Sequence, residues 1–162
     1  MDFHTTRRVE FRDTDAAGIV HFSVFFPMME AAEHEMLRSL GLGVMQPEEL
    51  DEANAAGSAD PGEEAGAPAP AGMLTWPRVA AACDYHGAAR FEDILQIAVG
   101  IERLGNKSVR YRIRITREGE PIASGTITTV CCRLTGSGEL QSIPIPEKIR
   151  QLLSSRVIAS NN

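Results

Sequence analysis

Between Ser23 and Leu40 the residues Phe25, Phe26, Met29, Ala32, Met36, Leu37 and Leu40 recur at helical spacing, with Glu30, Glu33, Glu35 and Arg38 between them. A helix apolar over so wide an arc leaves little surface suited to water, so the spacing predicts that it lies against a sheet. Ser23 offers an N-cap, Pro27 falls early enough to be tolerated in the first turn, and Gly41 follows the last apolar position as a stop.

The rest of the chain supplies strands. RRVEFR, residues 7 to 12, alternates Val9 and Phe11 with Arg8, Glu10 and Arg12, the pattern of a half-buried first strand. After residue 73 four more segments read as the strands of an antiparallel meander: LTWPRVAAACDYH, ILQIAVGIERL, KSVRYRIRITR and PIASGTITTVCCRL. In the third, Val109, Tyr111, Ile113 and Ile115 face one way and three arginines the other, and REGEP at 117 to 121 supplies a tight hairpin. PEKIRQLLSS, residues 146 to 155, predicts a short closing helix with Pro at its first position.

At 162 residues the chain fits one domain. Residues 46 to 72, rich in Ala, Gly, Pro and acids, read as a flexible insertion, because they hold too little apolar surface to order themselves. A net charge of −6 argues against a nucleic-acid or anionic-membrane partner, since both require a basic face. No apolar run approaches a membrane span and the N-terminal MDFHTTRRVEF lacks an apolar core, so the expected location is cytoplasmic. Three cysteines, two of them adjacent, do not suggest a disulfide framework; each reads as a small buried hydrophobe.

The chemistry is concentrated in FRDTDAAGIVHF, residues 11 to 22, where the first strand passes into the helix. Asp13 and Asp15 stand just before Gly18, and two readings of Asp15 stay open from spacing alone: it turns or caps the chain, or it offers a carboxylate for catalysis. Asp13 reads as the residue that shapes the turn or holds Asp15 in place. Glu30 and His34 share a helix face, but a carboxylate-bridged metal site needs the motif repeated on other helices, so no metal is expected. Cys83 and His86 are an odd number of strand positions apart and so point to opposite faces.

The order of elements, FRDTDAAGIVHF and the following EAAEHEMLRSLGL resemble the hotdog-fold acyl-CoA thioesterases, in particular the 4-hydroxybenzoyl-CoA thioesterase-like family. The resemblance runs from about Arg7 to Arg133. It implies an α+β hotdog fold, a five-stranded antiparallel sheet wrapped around one long helix, in a single domain. It further implies a thioester hydrolase in which Asp15 is nucleophile or general base. The backbone N–H of Phe22 then donates to the thioester oxygen, and Gly18 permits the close approach. His21, Lys107, Ser108 and Arg90 are candidate substrate contacts, the last three for the phosphates of coenzyme A.

No cofactor is implied beyond the coenzyme A of the substrate. Glu30 and Glu33 are the alternative catalytic acids, because a second hotdog subclass carries its acid on the helix. A non-catalytic acyl-thioester binding module, or an enzyme acting on a carrier-protein-bound acyl or polyketide chain, are the competing readings. A sheet curled around one helix leaves an open strand edge, so a homodimer or homotetramer is expected.

Overall fold

The computed structural model describes residues 1–48 and 72–158. Nearly all of the expected insertion therefore lies outside the described residues. Its flanks do not. Met45–Pro47 form a strand, β2, and Glu48 pairs through both carboxylate oxygens with Arg133, the longer contact being 2.7 Å.

The chain runs β1 (Phe3–Arg8), two single-turn 3-10 helices (Phe11–Asp13 and Phe22–Val24), α1 (Phe25–Ser39), then β2. β3 (Met73–Thr75), β4 (Arg78–Tyr85), β5 (Ile94–Leu104), β6 (Ser108–Arg117) and β7 (Glu120–Val130) follow. β8 (Cys132–Leu134), β9 (Leu140–Ser142) and α2 (Glu147–Ser154) close the chain. An α+β antiparallel architecture with one long helix is thus present. The strands form two sheets, a five-stranded one in the order β1-β5-β6-β7-β4 and a four-stranded one in the order β2-β3-β8-β9.

Four sequence expectations need correction. The first strand lies four residues earlier than RRVEFR, because the Asp13 carboxylate accepts the Glu10 N–H at 2.9 Å and curls residues 10 to 13 into a turn. Val9 stays buried, but Phe11 is 76% exposed. The segment 74–86 is two strands, divided at Pro77, which has no N–H for a ladder. The segment 121–134 also divides, since the Cys131 N–H leaves the ladder to donate to the Lys107 carbonyl at 2.7 Å. Finally, the four strands are not a simple meander: β5, β6 and β7 follow one another, whereas β4 pairs with β7 at the far edge.

The core is built as the alternation predicts. Val109, Tyr111, Ile113 and Ile115 of β6 are all buried, as are Leu95, Ile97, Val99 and Ile101 of β5, together with Met28, Met29, Met36 and Leu37 of α1. Burial of each large apolar side chain contributes about 1.5–3 kcal/mol, which is what holds α1 on the sheet. Gly125 marks the closest approach: a Cβ there would lie 2.4 Å from Met29 Sδ and 2.7 Å from the Ala82 carbonyl oxygen. The β6–β7 turn is the expected tight hairpin, with positive φ at both Glu118 (52°) and Gly119 (89°). Cys83 is half-buried and Cys131 and Cys132 are buried, all as free thiols.

Three further features complete this frame. Gly41 ends α1 with a φ of 73°. β4 is an edge strand, with Val79 and Tyr85 largely exposed. At the opposite edge the C-terminal Arg156–Ile158 segment extends the pairing of β1, exchanging hydrogen bonds with Ile101 of β5.

Candidate active site

Residues 13 to 21 form a small hairpin-like loop leading into the helix. An antiparallel bridge joins Thr14 to Val20, the Asp15 N–H donates to the Ile19 carbonyl at 2.9 Å, and the His21 N–H donates to the Asp13 carbonyl at 2.9 Å. Gly18 takes the fourth corner with a φ of 74°, and no atom lies where its Cβ would stand, so conformation and not crowding within the chain calls for glycine. The Val20 N–H donates to the Ala89 carbonyl at 2.8 Å, tying the loop to the 86–93 connection.

Asp15 is half-buried, and its Oδ1 accepts the Ala17 N–H at 2.8 Å. The turning role read from the sequence is therefore real. It uses one carboxylate oxygen; among the described residues Oδ2 has no hydrogen-bond partner, so it can serve as base or nucleophile. Asp13 is buried and shapes the loop: Oδ2 takes the Glu10 N–H, and Oδ1 faces the Arg7 guanidinium at 3.5 Å.

The helix start differs from the expected Ser23 cap. His21 is the N-cap of the first 3-10 turn, its Nδ1 accepting the Ser23 N–H at 3.3 Å and lying 2.8 Å from Ser23 Oγ, with its ring against Phe22. Ser23 lies inside the turn. Phe22 opens that turn, so its N–H precedes the first intrahelical bond, and among the described residues it donates to no acceptor. The Phe22 ring is 61% exposed. From edge strand β4, the Tyr85 hydroxyl donates to the Phe22 carbonyl at 3.0 Å, and its ring meets Phe25 edge-on at 5.4 Å. Sequence reasoning missed Tyr85. Only its place at the end of an exposed strand could have pointed to it.

Arg90 is exposed on the connection that holds the loop, next to Ala89, and its N–H donates to Asp93 at 2.8 Å. Partial burial opposes ionisation of Asp93, but the Arg90 N–H and the Arg117 guanidinium together hold its carboxyl below the usual range. Lys107 and Ser108 lie elsewhere. They follow the far end of β5, an 11-residue strand and so about 35 Å long, while the loop adjoins its near end. One protomer does not bring them to Asp15.

The alternative acids stand in a separate cluster. Glu33 is fully buried, and desolvation pushes its carboxyl up to about 7 against the pull of Arg78. The Arg78 Nη2 reaches Glu33 Oε2 at 2.9 Å, Glu30 Oε1 at 3.2 Å and His34 Nε2 at 2.8 Å. Arginine only donates, so His34 accepts there as the neutral ring; burial and then Arg78 hold its pKa down. Among the described residues no group of three or more His, Cys, Asp or Glu is placed to hold a metal ion. Cys83 packs against the core, whereas His86 Nε2 lies 2.8 Å from Ser124 Oγ, so the two do not form a pair.

Residues 9–153 match the thioesterase-like superfamily. The chain is 26% identical to a putative esterase of Aquifex aeolicus, over 89% of this chain and 93% of that protein. It is 22% identical to an acyl-CoA thioesterase of Haemophilus influenzae, over 88% of each. Its fold is similar to that of a 1,4-dihydroxy-2-naphthoyl-CoA thioesterase from Synechocystis, with a TM-score of 0.70 at 20% identity, covering 95% of this chain and 96% of that one.

Proposed function

The chain belongs to the thioesterase-like superfamily of thioester hydrolases, and on that premise we propose that it cleaves an acyl-coenzyme A with water to a carboxylic acid and free thiol. One observation carries the reading: a single short loop presents a carboxylate, Asp15, with one oxygen free, and a backbone N–H, Phe22, without an acceptor, both among the described residues. Asp15 either attacks the thioester carbonyl or takes a proton from the attacking water. The Phe22 N–H, at the positive end of the helix, stabilises the oxyanion that forms. Gly18 keeps the loop tip free of a side chain, and Arg90 and His21 flank it where substrate enters.

Two copies join through the β4 edge in this reading, and the substrate crosses the boundary between them. In that arrangement Lys107 and Ser108 of the second copy are the candidates for the phosphates, since within one copy they lie beyond the far end of β5. The test is a panel of aliphatic and aromatic acyl-CoA substrates with a thiol-reactive dye. Thiol release from at least one of them is expected; release from none, with binding intact, would make the protein an acyl-thioester binding module.

A further inference from the structure

The inner face of β4 is left partly uncovered by α1. Its register sets Ala81, Cys83 and Tyr85 opposite Ile127, Gly125 and Ala123, all buried on the side of the sheet that packs against the helix. Ala81 and Tyr85 are nonetheless exposed, and Cys83 is half-buried. Strand and helix are pinned together at two points. Tyr85 holds the Phe22 carbonyl and meets the Phe25 ring, and Arg78 reaches Glu30, Glu33 and His34. Between the pins the inner face of the strand presents two small side chains, Ala81 and Cys83. The helix presents Phe26, half-buried and four positions before Glu30, hence on the same flank. An accessible apolar seam thus runs from the Asp15 loop to the charged cluster, opened at its loop end by Phe22 and Tyr85, 61% and 47% exposed.

We propose that this seam seats the acyl group of the substrate, and that Glu30 at its far end selects an acyl chain of medium length ending in a hydroxyl. The proposal deepens the thioesterase reading and rests on it. Eight residues separate Phe22 from Glu30, a rise of about 12 Å, which an extended chain of roughly eight to ten carbons spans. The lining between them is apolar and carries a polar group at one end, the usual make-up of a small-molecule site.

The chemistry of the far end decides the terminus. Glu30 Oε1 lies 3.2 Å from Arg78 Nη2, whereas Oε2 has no hydrogen-bond partner among the described residues, and the side chain is 46% exposed, within reach of an incoming donor. A hydroxyl donates to that oxygen. A terminal methyl would take water from the carboxylate and return no hydrogen bond. Arg78 already serves the Trp76 carbonyl, Glu30, Glu33 and His34, so a terminal carboxylate would face Glu30 without an open guanidinium fork to receive it. A terminal ammonium is disfavoured by Arg78 itself.

The experiment reads binding and turnover separately. In calorimetry of the full chain with unhydrolysable S-alkyl-CoA thioethers, S-(8-hydroxyoctyl)-CoA should bind about tenfold or more tighter than S-octyl-CoA. Glu30→Ala should bring that ratio near one. Ala81→Phe fills the seam from an exposed position and should lower the affinity for both eight-carbon ligands about tenfold relative to S-ethyl-CoA. Melting curves establish that the variants fold, and Ala81→Leu takes the place of Ala81→Phe if the ring disturbs folding. The matching thioesters, followed by thiol release, should rank in the same order in kcat/KM. S-octyl-CoA that binds as tightly as its hydroxylated analogue, or a preference that survives Glu30→Ala, overturns the proposal. Eight-carbon ligands that are indifferent to the Ala81 substitution also overturn it. The expected binding order in a protein that hydrolyses no thioester supports the seam and overturns the thioesterase reading alone.

Discussion

The Tyr85 hydroxyl of edge strand β4 donates to the Phe22 carbonyl at 3.0 Å, so an exposed edge strand also fixes the turn that leads into α1. Tyr85→Phe removes this one hydrogen bond and keeps the ring contact with Phe25. A neutral hydrogen bond contributes about 1 kcal/mol, so stability should change by no more than that. Turnover should fall about tenfold with KM little altered, because the Phe22 amide is then less firmly placed for the oxyanion. Steady-state kinetics and a melting curve on the same sample check both halves.

The buried Glu33 makes stability depend on pH. Its carboxyl is raised from 4.5 to about 7 in the folded state, so folding favours the protonated form. The stabilisation is fully present below pH 4.5 and is lost as the pH rises through 7. Its upper bound is about 3 kcal/mol. Denaturant unfolding between pH 5 and pH 8 should show wild-type stability falling, and Glu33→Gln should flatten that decline. Asp93 and Glu48 act in the opposite sense. Their lowered values stabilise above the usual carboxylate range, and that contribution is lost only in acid.

Among the described residues β4 presents an unpaired edge with Val79 61% exposed, the kind of edge that pairs or is otherwise protected. Light scattering at micromolar concentration should give at least a dimer. Val79→Asp places a charge on that edge in each copy and should shift the protein toward monomer with loss of activity. A wild type that is monomeric and fully active contradicts assembly through β4.

The sequence was most informative where periodicity and burial coincide. The apolar stripe of α1, the alternation of Val109, Tyr111, Ile113 and Ile115, and the Glu118–Gly119 turn are all legible because each is a local pattern repeated over several residues. The errors fall where a long-range hydrogen bond overrode such a pattern. Phe11 alternates correctly with Val9, yet the Asp13 carboxylate captures the Glu10 N–H and turns the chain away. Cys131 sits inside a strand-like run, yet its N–H goes to Lys107.

The same distinction applies to the site. Asp15, Gly18 and Phe22 are legible as candidates because they share one contiguous loop, whereas the cap that His21 forms is not. Tyr85, 63 residues away from Phe22, and the Glu33–Arg78 pair depend on how strand and helix are packed together. No spacing in the sequence encodes those contacts.

The central claim is that the Asp15 carboxylate performs the chemistry, and Asp15→Asn tests it most directly. The asparagine side-chain oxygen can still accept the Ala17 N–H, so the turn survives while the charge and basicity go. The measurement is kcat on the best acyl-CoA substrate, with the melting temperature taken alongside. The account predicts a fall of about 100-fold or more at an unchanged melting temperature. Turnover near the wild-type value in a folded Asp15→Asn protein would contradict it and move the catalytic role to Glu30 or Glu33.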